Sequence, residues 1–437
     1  MGMRTLVEKT VRIPVHYATT KRKLDILNKI TARLTYGVHL WLQLIKASDI
    51  RTRSGLRKAE LERKIREQTR LNAAFVQCCG DTALWMWKSY HKLYREWERR
   101  VKRARHGGDE RWLRKLMKRK PSEPFSNGAR RKIPIWFDYR VGSLEYSKKI
   151  KISPRLIRIS TLKRGERITI LLNPAKYHID LLERGEIKSF QLVKRGKKFH
   201  VHTKVEYEVQ DQLVQAIRGV DLGIKRSAAT VLLHPNKPLR RGNFSVICDG
   251  EKVRRVNELN LRVAKLQRLK KWEALKRIRN KRHRVAEYHD HLTAKLIAKI
   301  SDGYIVAIGY PKGLRYENYQ GNGNRKLRRL MTRWAYRRVI RYVQVKCAER
   351  GIKAIQVDER WSSMTCHRCG SRNTERVKQS ILACLNCGLI YNADFNGAIN
   401  IGSSILATPR SRGAVVDPAL TSDELAEETS EAGSPRF

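Results

Sequence analysis

Four cysteines and four carboxylates are the residues here whose types and spacing suit chemistry. Cys366/Cys369 and Cys384/Cys387 form two CxxC pairs, each followed by a glycine, Gly370 and Gly388. In a CxxC knuckle the chain folds back so that both sulfurs reach one ion, and the following glycine supplies the conformation that turn needs. Two knuckles joined by a short polar loop predict a closed, tetrahedral four-cysteine zinc ribbon with no open coordination position. A disulfide pair or a redox CxxC are the rival readings, and paired knuckles in so basic a chain favour zinc. Acids frame the ribbon: Asp358 and Glu359 just before it, Asp394 just after. A ribbon of this kind braces, so the chemistry is expected in what it braces. A further acid, Asp221, ends an apolar stretch far upstream in AIRGVDLG.

The elements that must position these residues follow from hydrophobic periodicity. TVRIPV alternates as a strand, and apolar residues then recur at three and four from Leu24 to Leu42, predicting a helix. A second helical block covers about 54–105, followed by a basic helix at ERWLRKLMKRK. Trp41, Trp85, Trp87, Trp97 and Trp112 fall at helical spacing and are expected to pack in cores, although tryptophans can also stack on bases. After KPSEPFSNGARRKIP the pattern becomes short basic strands, with hairpins around Arg164-Gly165 and Arg195-Gly196 that suggest a small barrel. At Ala216 it changes again: strand, Asp221, Gly223 and a second strand. A basic helical pair follows over 251–300, with Leu259, Val263, Leu266 and Leu269 expected to zip the two helices together. The strand YIVAIGYPKGL, a helix over 326–350 and the strand KAIQVDE lead into the ribbon, and helix NADFNGAINIGSSIL closes the fold. This order of elements is the ribonuclease-H-type α/β layout, in which carboxylates at strand ends and on a late helix converge on divalent metal ions. Two hard cations ~3.5–4 Å apart would activate water and stabilise a leaving phosphate oxygen.

Size and charge restrict the partners. The chain has 437 residues, more than one ordinary core, and 94 Lys+Arg against 41 Asp+Glu give a formal net charge of +53. The basic residues are spread along nearly the whole chain rather than gathered in one juxtamembrane tract, which points to nucleic acid over a membrane surface. No run of ~18 apolar residues occurs and the start lacks a signal-peptide core, so a cytoplasmic, nucleoid-associated protein is expected. Cys78, Cys79, Cys248 and Cys347 read as reduced core residues.

GVDLGIK, the basic helical pair, the four-cysteine ribbon set before an aspartate, and ADFNGAIN together resemble the TnpB proteins of insertion sequences, relatives of compact type V CRISPR effectors and of Fanzor proteins. The resemblance runs over about 214–402, and the N-terminal half has the order of the family's wedge and recognition domains. It implies α/β plus all-β and all-α parts. First wedge strands lie in 1–20, a helical recognition domain in 21–120 and a wedge β-barrel in 121–213. A RuvC-like nuclease domain in 214–360 carries the helical pair 251–300, and is followed by the zinc ribbon in 361–390, a terminal RuvC segment in 391–407 and a disordered acidic tail in 408–437. It implies an RNA-guided DNA endonuclease that pairs a guide RNA with one strand of double-stranded DNA beside a short flanking motif. The protein would act as a monomer, with structural Zn2+ on Cys366, Cys369, Cys384 and Cys387, and catalytic Mg2+ or Mn2+. Asp221 and Asp394 occupy the first and last RuvC acid positions. The middle acid is a glutamate in most members, where this chain has Gly309. Either the nuclease is inactive and only binds DNA as a repressor, or another carboxylate takes over. Glu359 is the candidate, as in some Fanzor proteins, because neighbouring strand ends are ~5 Å apart. Asp358 should face the other way by strand alternation. Glu317 and Asp358 are the fallbacks, and a DNA transposase is the third reading.

Overall fold

The structure, a computed structural model, describes residues 4–406 except 126–132, 164, 197, 225, 236, 248–249, 313–330 and 332–333. Glu317, Cys248, Arg164, the tail 408–437 and the start of the helix expected over 326–350 lie outside the described residues. The chain divides into two compact units, Leu6–Glu208 and a second made of Met1–Thr5 with Val209–Phe437.

In the first unit, β1 (Arg4–Pro14) precedes α1 (Lys21–Ala47), α2 (Arg53–Leu56), α3 (Ala59–Thr69), α4 (Ala73–His106) and α5 (Glu110–Met117). The side chains of Thr20, Asn72 and Asp109 cap α1, α4 and α5, each accepting from a backbone N–H three residues on. Trp41 is fully buried and donates from Nε1 to the Val76 carbonyl at 2.9 Å. Trp85, by contrast, is exposed, while Trp97 and Trp112 pack partly buried against Val101, Ala104 and Leu116. The later strands are β2 (Trp136–Phe137), β3 (Gly142–Tyr146), β4 (Arg155–Ser160), β5 (Arg167–Leu171), β6 (Glu186–Arg195) and β7 (Lys198–Gln210), with α6 (Lys176–Arg184) before β6. They form one sheet of order β1-β7-β6-β2 and another of order β3-β4-β5, joined by the isolated bridge Val15↔Leu172. The hairpin around Arg195-Gly196 is present, with Gly196 in the left-handed region at φ 59°.

The second unit is built on a sheet of β8 (Ala216–Leu222), β9 (Ala228–Leu233), β10 (Phe244–Ile247), β11 (Tyr304–Tyr310) and β12 (Ala354–Asp358), in the order β10-β9-β8-β11-β12. β8, β11 and β12 run parallel, and β9 and β10 are antiparallel additions. One face packs Val220, Val306 and Ile308 against α9 (Lys281–Lys299) and α10 (Tyr336–Ala348). The other face packs Ile217 and Ala307 against Ile401 of α11 (Ala393–Leu406). Cys347 is fully buried in the α10 face, and burial pushes its thiol up to about 12, as expected of an inert core cysteine. Cys78 and Cys79 are likewise buried, in α4.

The basic pair differs from expectation in detail. It comprises α7 (Gly250–Arg268), the short α8 (Trp272–Ile278) and α9, with a break at Lys270, whose φ of 52° ends the first helix. Neither α7 nor α8 has a buried residue. Leu259, Val263 and Leu266 are half-buried, but Leu269 is 49 % exposed, because it lies beyond the last turn of α7. A buried ion cluster ties these helices instead: fully buried Asp290 of α9 accepts from Lys252 Nζ of α7 at 2.5 Å and from Arg338 Nε of α10 at 2.9 Å.

Candidate functional site

Asp221 is the penultimate residue of β8. Strand alternation sends Val220 to the α9–α10 face and Gly219 and Asp221 to the α11 face. The missing side chain of Gly219 lets α11 lie directly on the strand, since a Cβ there would overlap the Ala398 carbonyl oxygen. Gly397 plays the matching part for the acid: a Cβ on it would come within 2.9 Å of Asp221 Oδ2. The Asp221 carboxylate therefore sits against the first turns of the helix that carries Asp394, itself in the first turn.

Glu359 comes from the neighbouring strand. β11 and β12 pair in parallel with Gly309↔Val357 and Tyr310↔Asp358, and the Glu359 N–H reaches the Tyr310 carbonyl at 3.4 Å. Val357 packs on the α11 face with Ala307 and Ile401, so Glu359, two residues on, faces the same side. Asp358 is exposed, and its Oδ1 accepts from the Arg360 N–H at 3.0 Å. The Glu359 side chain lies over Gly309: a Cβ there would be 2.8 Å from Glu359 Oε2 and 3.3 Å from Glu359 Cβ. The space a side chain at 309 would use is thus filled by the carboxylate of residue 359. Glu359 Oε2 is buried and has no hydrogen-bond partner among the described residues.

Burial pushes the Asp221 carboxyl well above the usual carboxylate range, and the charges of Glu359 and Asp394 add to this, while Arg376 of the ribbon opposes it. Burial, with the Asp358 charge second, raises Glu359 to about 7. Asp394 accepts from Arg226 Nη1 at 3.0 Å, a contact between two partly exposed side chains. An orphaned buried carboxylate oxygen beside a second raised carboxyl is the environment a hard divalent cation relieves, because it supplies the missing opposite charge to oxygen ligands. The oxygens of the three acids do not all fall within 4.8 Å of one another among the described residues. Acids that flank a pair of ions ~3.5–4 Å apart do not need to. Divalent cations held there would supply Lewis-acid activation of water and stabilise charge on a phosphodiester.

The ribbon lies between the two acids in sequence. β13 (Thr374–Lys378), β14 (Ile381–Cys384) and β15 (Ile390–Asn392) form its sheet. All four sulfurs lie within 4.8 Å of one another, with Cys366–Cys387 at 3.7 Å and Cys369–Cys384 at 3.6 Å. A tetrahedron of ~2.3 Å Zn–S bonds has edges of ~3.8 Å, so the cluster fits zinc. Gly370 and Gly388 both adopt left-handed φ, 71° and 70°, and their N–H groups bond back to Cys366 and Cys384. In the metal-free cluster the Cys369 thiol is drawn down to about 6, chiefly by the backbone N–H of Ser371, while Cys387 beside it is pushed up to about 12.

Asparagines of α11 bind the ribbon entry to the helix. Asn400 Nδ2 donates to the Ser362 and Thr365 carbonyls, both at 2.7 Å, and buried Asn396 donates to Thr365 at 2.8 Å while its Oδ1 accepts from the His367 N–H at 3.0 Å. The Ser362 N–H in turn donates to the Glu359 carbonyl at 3.0 Å. The turn after Glu359 is therefore fixed to the helix that bears Asp394. Arg226, Arg376, Asn396 and Asn400 were not singled out from the sequence. For the asparagines a signal existed, since Asn396 and Asn400 lie at i, i+4 beside Asp394.

A central sheet in this order, with acids at the ends of β8 and β12 and on a terminal helix, has the α/β arrangement of the ribonuclease-H type. A family model described as Cas12f1-like, TNB domain, matches residues 336–401. The chain is 26% identical over 200 residues to the CRISPR-associated endodeoxyribonuclease Cas12f2 of Micrarchaeota archaeon (strain CG1_02_47_40), covering 43% of this chain and 36% of that protein. It is 25% identical over 264 residues to the endodeoxyribonuclease Cas12f1 of Sulfoacidibacillus thermotolerans, covering 55% and 59%. A TnpB-like protein of Aquifex aeolicus (strain VF5) is 25% identical over 258 residues, covering 51% and 79%. The match thus spans between about a third and three-fifths of the length of the first two relatives. Among solved structures, a Cas12f1–sgRNA–target DNA complex shares the fold with a TM-score of 0.55 at 15% identity, over 88% of this chain and 83% of that one. Over these stretches the chain is similar to TnpB-like proteins and to compact type V effectors. No helix among the described residues is long and apolar enough to cross a membrane.

Proposed function

We propose that the protein is an RNA-guided DNA endonuclease whose RuvC-type site uses Asp221, Glu359 and Asp394 to hold Mg2+, or Mn2+, for phosphodiester hydrolysis. The observation that carries this reading is the occupation of the Gly309 side-chain space by Glu359, whose inner oxygen is buried and unpartnered. A chain that had merely lost its middle acid has no reason to aim a second glutamate into the vacated place, where burial raises it to about 7. In this reading Asp221 and Glu359 orient the ions, Asp394 closes the site from the helix, and Cys366, Cys369, Cys384 and Cys387 hold structural Zn2+. The names of the relatives, two endodeoxyribonucleases and a TnpB-like protein, support the same chemistry.

The partners are a guide RNA and double-stranded DNA with a short flanking motif. The exposed basic faces of α7 and α8 follow the backbone of the guide–target duplex by shape and charge. The first unit supplies the wedge and recognition domains, and the protein works as a monomer at the nucleoid. The test is purification with co-expressed RNA, followed by a matching DNA target and Mg2+. Binding without nicking would remove the nuclease and leave the guided repressor. If the protein cuts, Glu359→Ala should abolish cutting and keep binding. Full cutting by that variant would move the role to Glu317 or Asp358.

A further inference from the structure

At the start of α11, where Asp394 sits, is an open cavity of about 430 Å³ lined by Leu239, Arg240, Arg241, Phe244, Tyr391 and Phe395, with Asn392 at its edge. This is within the ~300–1,000 Å³ range of small-ligand sites. Its floor is aromatic: Phe244 and Phe395 meet edge to face at 5.0 Å, and Phe244 and Tyr391 lie 6.5 Å apart. These rings rest half-buried on Val231, Leu233, Ala398 and Ile399, so each presents a firmly backed surface to the cavity. Arg240 and Arg241 are exposed on the rim, and neither is in an ion pair among the described residues. An aromatic floor with arginines at its edge is the pairing that single-stranded nucleic acid uses, bases on the rings and phosphates on the guanidinium groups.

The location narrows the occupant. Asn392 Oδ1 accepts from the N–H groups of both Asp394 and Phe395, so the edge of the cavity and the helix-borne acid share one turn of α11. Phe244 lies on β10, level with Val231 of β9 and Gly219 of β8, so it is two strands and two residues from Asp221, a separation of ~12 Å. A strand whose phosphodiester lies at the carboxylates therefore brings a base one or two nucleotides away over this floor. We infer that the Phe244–Tyr391–Phe395 cavity is a binding site for an unpaired base of the DNA strand being cut, with Arg240 and Arg241 on its phosphates. The inference rests on the nuclease reading for which strand is bound, and on the cavity alone for what is bound.

The full chain with its co-purified RNA is irradiated with a matching single-stranded oligodeoxynucleotide carrying 5-iodo-2′-deoxyuridine at successive positions. Adducts from one or two adjacent positions should map to peptides containing Phe244, Tyr391 or Phe395. Phe244→Leu and Tyr391→Leu, which keep apolar volume, should each weaken oligonucleotide binding roughly tenfold without loss of zinc. Arg240→Gln and Arg241→Gln should each lower the salt dependence by about one unit of slope. Adducts confined to other peptides, undiminished binding by both leucine variants, or tighter capture of the same sequence as RNA would each overturn the assignment. Adducts in the cavity of a protein that never cuts would keep the site and remove the nuclease. Cutting with adducts elsewhere would do the opposite.

Discussion

Gly309→Ala adds one methyl group and removes no acid, yet it should cripple cleavage. The new Cβ would stand 2.8 Å from Glu359 Oε2, 3.3 Å from Glu359 Cβ and 2.7 Å from Ile401 Cδ1. Carbon contacts are most favourable at about 3.5–4.0 Å, so the overlap approaches 1 Å and falls on buried atoms. If the core absorbed it in place, the cost would be about 1–3 kcal/mol. The easier relief is rotation of the Glu359 side chain out of the Gly309 space, because Glu359 is only half-buried and no hydrogen bond holds its Oε2. A displacement of ~1 Å in a reacting constellation costs on the order of 10²-fold in rate. Single-turnover cleavage of a matched target should therefore drop about a hundredfold, while target binding by the guide complex stays within about twofold. The reciprocal variant carries the acid on the strand itself: Gly309→Glu combined with Glu359→Ala should cut faster than Glu359→Ala alone. Cleavage by Gly309→Ala at the parental rate, with zinc content and melting temperature unchanged, would refute the idea that Glu359 works from the Gly309 space.

Glu359 also sets a pH dependence. Its folded value of about 7 lies above the ordinary carboxylate, so the metal-free fold binds this proton more tightly than the unfolded chain, and stability falls as pH rises from about 4.5 to about 7. The full penalty, about 3 kcal/mol, stands above pH 7, so Glu359→Gln should raise the melting temperature in chelator at pH 8 and have little effect at pH 4.5. Equal effects at both pH values would contradict it. Mg2+ should stabilise the parent at pH 8 by melting assay and do far less for that variant. Arg226→Gln frees Asp394 of its 3.0 Å partner and should tighten Mn2+ binding by calorimetry several-fold; weaker binding would show that Arg226 positions the acid rather than competing for it. Cys384→Ser should remove the zinc and with it cleavage, but leave RNA binding intact; zinc-free protein that still cuts would uncouple the ribbon from the acids.

Much of this was legible in residue types and spacing. The ribbon is local: two knuckles, each with its left-handed glycine, specify their own turns whatever surrounds them, and Cys366 to Gly388 fold as that spacing requires. The placement of Asp221 at a strand end and of Asp394 on the last helix was legible from motifs whose other letters the structure explains: Gly219 and Gly397 are the places where helix and strand approach too closely for a side chain. The preference for Glu359 over Asp358 followed from strand alternation, and half-buried Val357 on the α11 face is the orientation that alternation requires. What stayed hidden was non-local. β10 is a four-residue edge strand whose register depends on β9, and nothing in FSVI announces that it will carry an aromatic floor. The exposure of Leu269 could not be read from periodicity, because the break at Lys270 comes from a left-handed residue other than glycine. Arg226 was invisible as a partner because 168 residues separate it from Asp394.

A middle acid at the end of β12 rather than within β11 would change what the ribbon does. A glutamate within β11 would be held by an interior strand, with partners on both sides. Glu359 lies past the last paired residue of an edge strand, and its geometry depends on the turn that follows it. That turn is held by Asn396 and Asn400, through the carbonyls of Ser362 and Thr365, to the helix that bears Asp394. Two of the three acids thus become a single mechanical piece, and the cysteine cluster fixes the loop that joins them. In such an arrangement the zinc site sets the spacing between Glu359 and Asp394, whereas Asp221 is held by β8 and by the packing of α11 on that strand. Loss of the metal should therefore separate the pair before it disturbs the strand. The asparagine variants offer the finer probe: Asn400→Ala removes two hydrogen bonds at about 1 kcal/mol each and touches neither the acids nor the cysteines. Its cleavage rate should drop in proportion to the freedom it gives Glu359, with zinc content unaltered. A variant that keeps both zinc and full activity would show that the sheet alone holds Glu359.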